Sequence, residues 1–214
     1  MRFDLHVHTT LSPCSRLGVG EILDHARGRG LDGVCITDHD TMEVRHCLRE
    51  GVQPDGLCVI VGMEYATPEG DFLLFGPFEA LPPHLEAAEL LLTVNQRGGA
   101  AIAAHPLRSA RPTAEALIRR GLCRIVEGLN GRNRDDENRR LEAWRTRYVL
   151  NECGGSDAHT LDELGRVVTT FRKPVRSRDE LIHALNGGGY HPAWNVRQTD
   201  PFCAPLPLPA PALP

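Results

Sequence analysis

Five short apolar or small-residue runs in this chain each end in histidine or a carboxylate. They are Asp4-Leu5-His6-Val7-His8-Thr9, Thr37-Asp38-His39-Asp40, Gly62-Met63-Glu64, Ala104-His105-Pro106 and Gly155-Ser156-Asp157-Ala158-His159. On a β-strand, residues i and i+2 point to the same face, so His6 and His8 can reach one point in space. A single His-x-His pair is weak evidence. Its recurrence as ligand-type residues after several strands describes a multinuclear metal site at one end of a parallel barrel. Taken singly, His105 reads as a loop residue before proline, Asp157 and His159 as helix caps, and Asp38 and Asp40 as turn formers. Taken jointly those readings fail, because separate strand ends would have to acquire metal-ligand types by chance. His25, His46, His183 and His191 lack this context and read as surface or satisfied histidines.

The segments between these runs are helix-like, and alternation of strand and helix is the sign of a βα architecture. Strands are expected at Phe3–Val7, Gly33–Thr37, Leu57–Val61, Asp71–Phe75, Ala100–Ala104, Arg124–Glu127, Tyr148–Asn151 and Val167–Phe171. Helices are expected over Val19–Arg29, Thr41–Glu50, His84–Gln96, Thr113–Arg120, Asp135–Arg147 and Asp179–Leu185. The 214 residues suit one domain, taken as residues 1–199. From Asp200 the chain is Pro-rich, so residues 200–214 are expected to be extended and disordered.

No apolar run approaches the roughly 18–20 residues needed to span a bilayer. The first strand begins at Phe3 with no apolar leader, so a cytoplasmic location is the expectation. The seven cysteines show no CxxC pairing, and Cys35 and Cys58 read as small core residues. A net charge of −4 makes long nucleic acid an unlikely partner and a small phosphorylated molecule a better one. Mixed imidazole and carboxylate ligands suit zinc, manganese or iron.

The five motifs, in order, resemble those of the PHP (polymerase and histidinol phosphatase) domain family, from Arg2 to about Phe171. The resemblance implies a distorted (β/α)7 TIM-like barrel holding two or three divalent ions, and phosphoester hydrolysis by a metal-bound hydroxide. Carried over by motif, His6, His8, Glu64 and Asp157 would hold one ion, Glu64 and His105 a second, and His39 and His159 a third. Asp71 aligns where family members often have a histidine, and is read as an oxygen ligand of the second ion. Pro13 stands where many members have an aspartate that serves the third ion. Cys14 beside it is open to two readings, a soft ligand or a packed side chain.

Asp38, His39 and His159 are candidates for protonating the leaving oxygen. Glu127 is read as a ligand or a support for one, Asn130 as a substrate contact, and Arg132, Arg134 and Arg166 as phosphate-binding cations. Two rival classes share part of this pattern. Dinuclear amidohydrolases also begin with His-x-His, but bridge their metals through a carbamylated lysine. Here no lysine precedes Lys173, which excludes that form. The other rival is a non-catalytic accessory module that binds metal or nucleotide.

Overall fold

The computed structural model describes residues 1–196. Its elements, in chain order, are β1 (Arg2–Val7), α1 (Val19–Ala26), β2 (Gly33–Ile36), β3 (Gly51–Val52), β4 (Cys58–Val61), β5 (Met63–Thr67) and β6 (Gly70–Phe75). There follow α2 (Ala87–Gln96), β7 (Ala100–Ala103), α3 (Glu115–Arg119), β8 (Ile125–Asn130), α4 (Asp135–Arg139) and α5 (Glu142–Arg145). The last are β9 (Asn151–Gly155), β10 (Val167–Phe171), α6 (Arg178–Gly187) and β11 (Tyr190–Trp194). The Pro-rich segment from Asp200 lies outside the described residues.

The strands are short, β-branched and buried on both faces. Along β2, β4 and β6 successive residues alternate between two cores, as the two-residue period requires. Val34, Ile36, Val59, Val61, Phe72 and Leu74 join one core, under Ile22 of α1, Leu90 and Val94 of α2 and Trp144 of α5. Cys35, Cys58, Ile60, Leu73 and Phe75 join the other, to which α6 adds Leu181 and Leu185. Cys35 and Cys58 are thus core residues, as expected. No helix among the described residues is long and apolar enough to cross a membrane.

The strands form two mixed sheets, ordered β11-β10-β1-β2-β4-β3 and β5-β6-β7-β8-β9. β1, β2 and β4 are mutually parallel, as are β7, β8 and β9. β10 runs antiparallel to β1, and β6 runs antiparallel to both β5 and β7. The α/β alternation is therefore as expected, but among the described residues no continuous ladder closes one parallel ring. Local chain length explains part of this. Only Pro68 and Glu69 separate β5 from β6, a link too short for a parallel crossover, so the two strands form a hairpin.

Two isolated parallel bridges join the sheets, Val7 to Ala158 and His39 to Glu64. The His8 amide donates to the Ala158 carbonyl (2.9 Å) and the Ala158 amide to the His6 carbonyl (3.1 Å). The Glu64 amide donates to Asp38 (3.0 Å) and the Asp40 amide to Glu64 (2.9 Å). Motif segments thus make both bridges, and Thr169 of β10 adds side-chain bonds to Gly154 of β9.

Three expected elements differ. Thr41–Glu50 yields only a 3-10 turn over Glu43–His46. Asp135–Arg147 breaks into α4 and α5, because a mostly charged stretch with few apolar anchors gains too little from packing to sustain a long helix. The strand expected at Tyr148–Asn151 begins at Asn151 and runs through Gly154-Gly155.

Candidate metal centre

Glu64, on β5 and 2% exposed, faces four imidazoles. Its Oε2 lies 3.3 Å from His6 Nε2, 3.2 Å from His8 Nε2 and 3.1 Å from His39 Nδ1. Its Oε1 lies 2.8 Å from His105 Nε2. Asp157 Oδ1 stands 3.7 Å from His6 Nε2, 3.5 Å from His8 Nε2 and 3.5 Å from His159 Nδ1. His6 and His8 aim their Nε2 atoms at one point, 3.0 Å apart, as their shared strand face requires.

All eight candidate ligands fall into three groups whose donor atoms lie within 4.8 Å of one another: His6, His8 and Asp157; Glu64, Asp71 and His105; and His8, His39 and His159. Donors on one zinc ion, at bonds of about 2.0–2.1 Å, sit roughly 3.0–3.4 Å apart, and the closest spacings here match. His105 turns Nε2 toward Glu64, and its Nδ1, on the other edge of the ring, is buried with no hydrogen-bond partner. The residues present fit a metal centre.

The backbone is bent to make this arrangement. Asp40, His105 and Asp157 have φ of 52°, 32° and 55°, a left-handed region that side-chain-bearing residues seldom enter, at roughly 1–3 kcal/mol each. Gly155, just before the last motif, has no room for a side chain. A Cβ there would lie 2.4 Å from His6 Cβ and 2.8 Å from Glu127 Oε1.

Electrostatics keep the carboxylates ionised. Burial pushes Glu64 up, but His6, His105 and His39 outweigh it and hold its pKa well below the usual carboxylate range. Burial also pushes Asp157 up, and again His6 and His8 reverse it and hold it low. The His6 ring is pushed down by burial, yet Glu127, Asp157 and Glu64 raise it well above an ordinary histidine. His159 is pushed down to about 4, first by burial and then by the charge of His8.

A second ring of residues positions these groups. Glu127 Oε1 pairs with His6 Nδ1 at 3.0 Å, and its Oε2 accepts from the His105 amide (2.7 Å) and Asn130 Nδ2 (2.9 Å). A carboxylate behind a ligating imidazole fixes its tautomer and orientation. Glu127 therefore supports His6 rather than facing the cavity.

A cavity of about 260 Å³ opens over the ligands, lined by His39, Glu64, Asp71, His105, Asp157 and His159 together with Arg108, Arg111 and Arg132. Arg108 donates to Asp157 Oδ2 (2.7 Å) and Asn130 Oδ1 (3.0 Å), and Arg111 grips Asp71 through two bonds of 2.5 and 2.8 Å. Asp71 is thus both a member of a ligand group and the anchor of an arginine.

Several expected site residues stand elsewhere. Asp38 is fully buried, and its oxygens are taken by the Thr9 amide, Thr9 Oγ1 and Ser12 Oγ at 2.6–2.7 Å. It braces the loop that carries His39 and does not reach the cavity. Asn130 is likewise enclosed, accepting from Arg108, Arg132 N–H and Asn133 N–H, and it does not line the cavity. Arg134 is exposed and pairs with Asp136 and Glu137. Arg166 donates to the Asp162 carbonyl. Neither lines the cavity; Arg132 does. Arg108 and Arg111 were missed, although they follow the strand that carries His105, just as Arg132 follows the strand that carries Glu127.

Residues 4–104 match the family described as the PHP domain, and residues 135–188 match the PHP-associated segment. An uncharacterized protein of Methanocaldococcus jannaschii is 32% identical over 116 residues, covering 50% of this chain and 68% of that one. Among solved structures, PsfC of Pseudomonas syringae superimposes with a TM-score of 0.72 at 22% identity, over 90% of this chain and 91% of its own. A two-domain protein of Bacteroides vulgatus containing a predicted PHP-like metal-dependent phosphoesterase gives 0.66 at 18%, over 91% and 64%. A lesion-specific endonuclease of Pyrococcus furiosus gives 0.61 at 18%, over 89% and 57%.

Proposed function

The chain belongs to the PHP family, and from that premise we propose that it is a metal-dependent phosphoesterase acting on a small phosphorylated substrate. The observation that carries this reading is the convergence of eight ligand-type residues beneath a cavity lined by three arginines. His6, His8 and Asp157 would hold one ion, Glu64, Asp71 and His105 a second, and His8, His39 and His159 a third, with zinc, manganese and iron the candidates. When bound, such ions polarise phosphoryl oxygens and lower the pKa of a coordinated water so that it can attack phosphorus at neutral pH. The distorted barrel of the family is the corresponding fold, its ligands at the ends of β1 and β9 and after β2 and β7.

The protein's own groups do the rest. Arg108, Arg111 and Arg132 point charge at the cavity and bind the phosphoryl oxygens, a planar guanidinium being suited to two oxygens at once. Asp157 and Asp71 hold the first two in place. His159, neutral at neutral pH, is fit to coordinate rather than to donate a proton. With His39 and His159 both assigned to an ion, the leaving oxygen takes its proton from solvent on the open side of the cavity, where the His39 side chain is 38% exposed.

The cavity volume and the net charge of −4 favour a compact phosphomonoester or nucleotide over a duplex. The endonuclease neighbour is a relative in fold at 18% identity, and cleavage of a nucleic acid is the alternative the assay must include. The test is a screen of phosphorylated metabolites and oligonucleotides with manganese, zinc and iron, before and after chelation. Turnover that chelation removes and metal restores is expected. Bound metal without turnover on any substrate would instead favour an accessory module.

Glu127→Gln keeps the shape of the side chain but weakens its hold on His6. A loss of about 10–100-fold in metal affinity is expected, read by competition with a chromogenic chelator. An unchanged affinity would remove Glu127 from the support of the centre.

A further inference from the structure

Cys14 Sγ lies 3.2 Å from His159 Nε2, and the local chain explains how it is held there. The Ser15 amide donates to the Ser12 carbonyl (2.9 Å), closing a turn over Ser12-Pro13-Cys14-Ser15. Proline is favoured at the second position of such a turn because its φ is preset. Pro13 therefore shapes the turn, and Cys14 takes the next position.

The turn is tied to the backbones that carry all three imidazoles of one ligand group. Ser15 Oγ donates to the His8 carbonyl (3.0 Å) and the His159 carbonyl (3.2 Å), and the Arg16 amide donates to the His159 carbonyl (2.9 Å). The His39 amide donates to Ser12 Oγ at 3.0 Å. The thiol is thus held against His159, one member of the group formed with His8 and His39. That group, unlike the other two, contains no carboxylate. A sulfur and a nitrogen bound to one zinc ion, at about 2.3 and 2.0–2.1 Å, sit roughly 3.2–3.6 Å apart. The observed contact falls in this range.

We propose that Cys14 supplies a thiolate to the cation held by His8, His39 and His159, making this one position of the centre selective for a thiophilic metal such as zinc or cobalt(II) over manganese or magnesium. The inference rests on the metal-centre reading above and assigns to Cys14 the place that aspartate fills in many relatives. On coordination the S–H bond breaks, the proton passes to water, and a sulfur lone pair forms the bond to the metal. No electron is transferred. Soft sulfur ligands favour such metals, whereas the carboxylate-bearing groups do not discriminate against manganese.

The test uses the full chain loaded with cobalt(II) alone, followed by absorption spectroscopy. A thiolate-to-cobalt charge-transfer band in the near ultraviolet is expected in the parent and in Cys47→Ser, which removes the other exposed thiol among the described residues. In Cys14→Ser the band disappears and bound cobalt falls, while Cys14→Asp recovers the cobalt but not the band. Cobalt loading should also slow alkylation of Cys14, followed by mass spectrometry. Ligand-field bands without a charge-transfer band, or a band that persists in Cys14→Ser, would overturn the thiolate and leave the metal centre standing. Failure to retain any cobalt would overturn both.

Discussion

Glu64→Ala should abolish both turnover and stable metal binding, with a fall in rate of roughly a thousandfold or more. The reason is geometric. One carboxylate serves four imidazoles, at 2.8–3.3 Å, and belongs to the group that also contains His105 and Asp71. Removing it leaves His6, His8, His39 and His105 with no common acceptor and separates the ligand groups from one another. Glu64→Asp should recover little, since the shorter side chain cannot span the distance from His6 to His105. The measurement is metal content by elemental analysis alongside turnover on the substrate found by screening. A variant that kept its metal and its rate within about tenfold would place the chemistry elsewhere.

Gly155→Ala should cost about 3 kcal/mol of stability, and for a chain of this size that lowers the melting temperature by about 6–12 °C. The added methyl would meet His6 Cβ at 2.4 Å, Glu127 Oε1 at 2.8 Å and His6 N at 2.9 Å. Two of these atoms are fixed to the β1 backbone, so a change of rotamer cannot relieve the contact. Metal affinity should fall in the same variant, because the displaced groups are a ligand and its carboxylate support. A melting temperature within about 2 °C of the parent would show that β1 and β9 can separate at little cost.

The convergence of the candidate ligands was legible in the sequence because most of them end a short run whose period identifies it as a strand, while Asp71, at the start of β6, rests on the resemblance. His6 and His8 are two positions apart, and two residues is the repeat that puts side chains on one face. The arrangement of the strands was not legible. Nothing in the local pattern distinguishes a parallel from an antiparallel neighbour for a strand buried on both faces, as β6 and β7 are. The strand expected to end at Asn151 runs on through Gly154-Gly155, where the close approach of His6 on β1 leaves no room for a side chain at Gly155. The arginines show a related limit. Arg132, Arg134 and Arg166 were picked by proximity to motifs, and only Arg132 lines the cavity. Arg134 is claimed by Asp136 and Glu137, partners on its own helix. Asp38 and Asn130 were misplaced for the converse reason. Their side chains sit near the centre, but burial obliges each polar atom to find a partner in the protein: an amide and two hydroxyls for Asp38, and two amides, Arg108 and Glu127 for Asn130.

The two bridges between the sheets have a consequence for how the fold holds together. The two parallel bridges between the sheets belong to the segments bearing His6, His8, His39, Glu64 and Asp157, while Gly154 and Ser156 add bonds to β10, so an ion that drew those side chains inward would also brace the two halves of the molecule. Its binding energy is shared with folding. On the metal-centre reading, starving the protein of metal would be a mechanical insult as well as a chemical one, because it would loosen the joint where the reaction would occur.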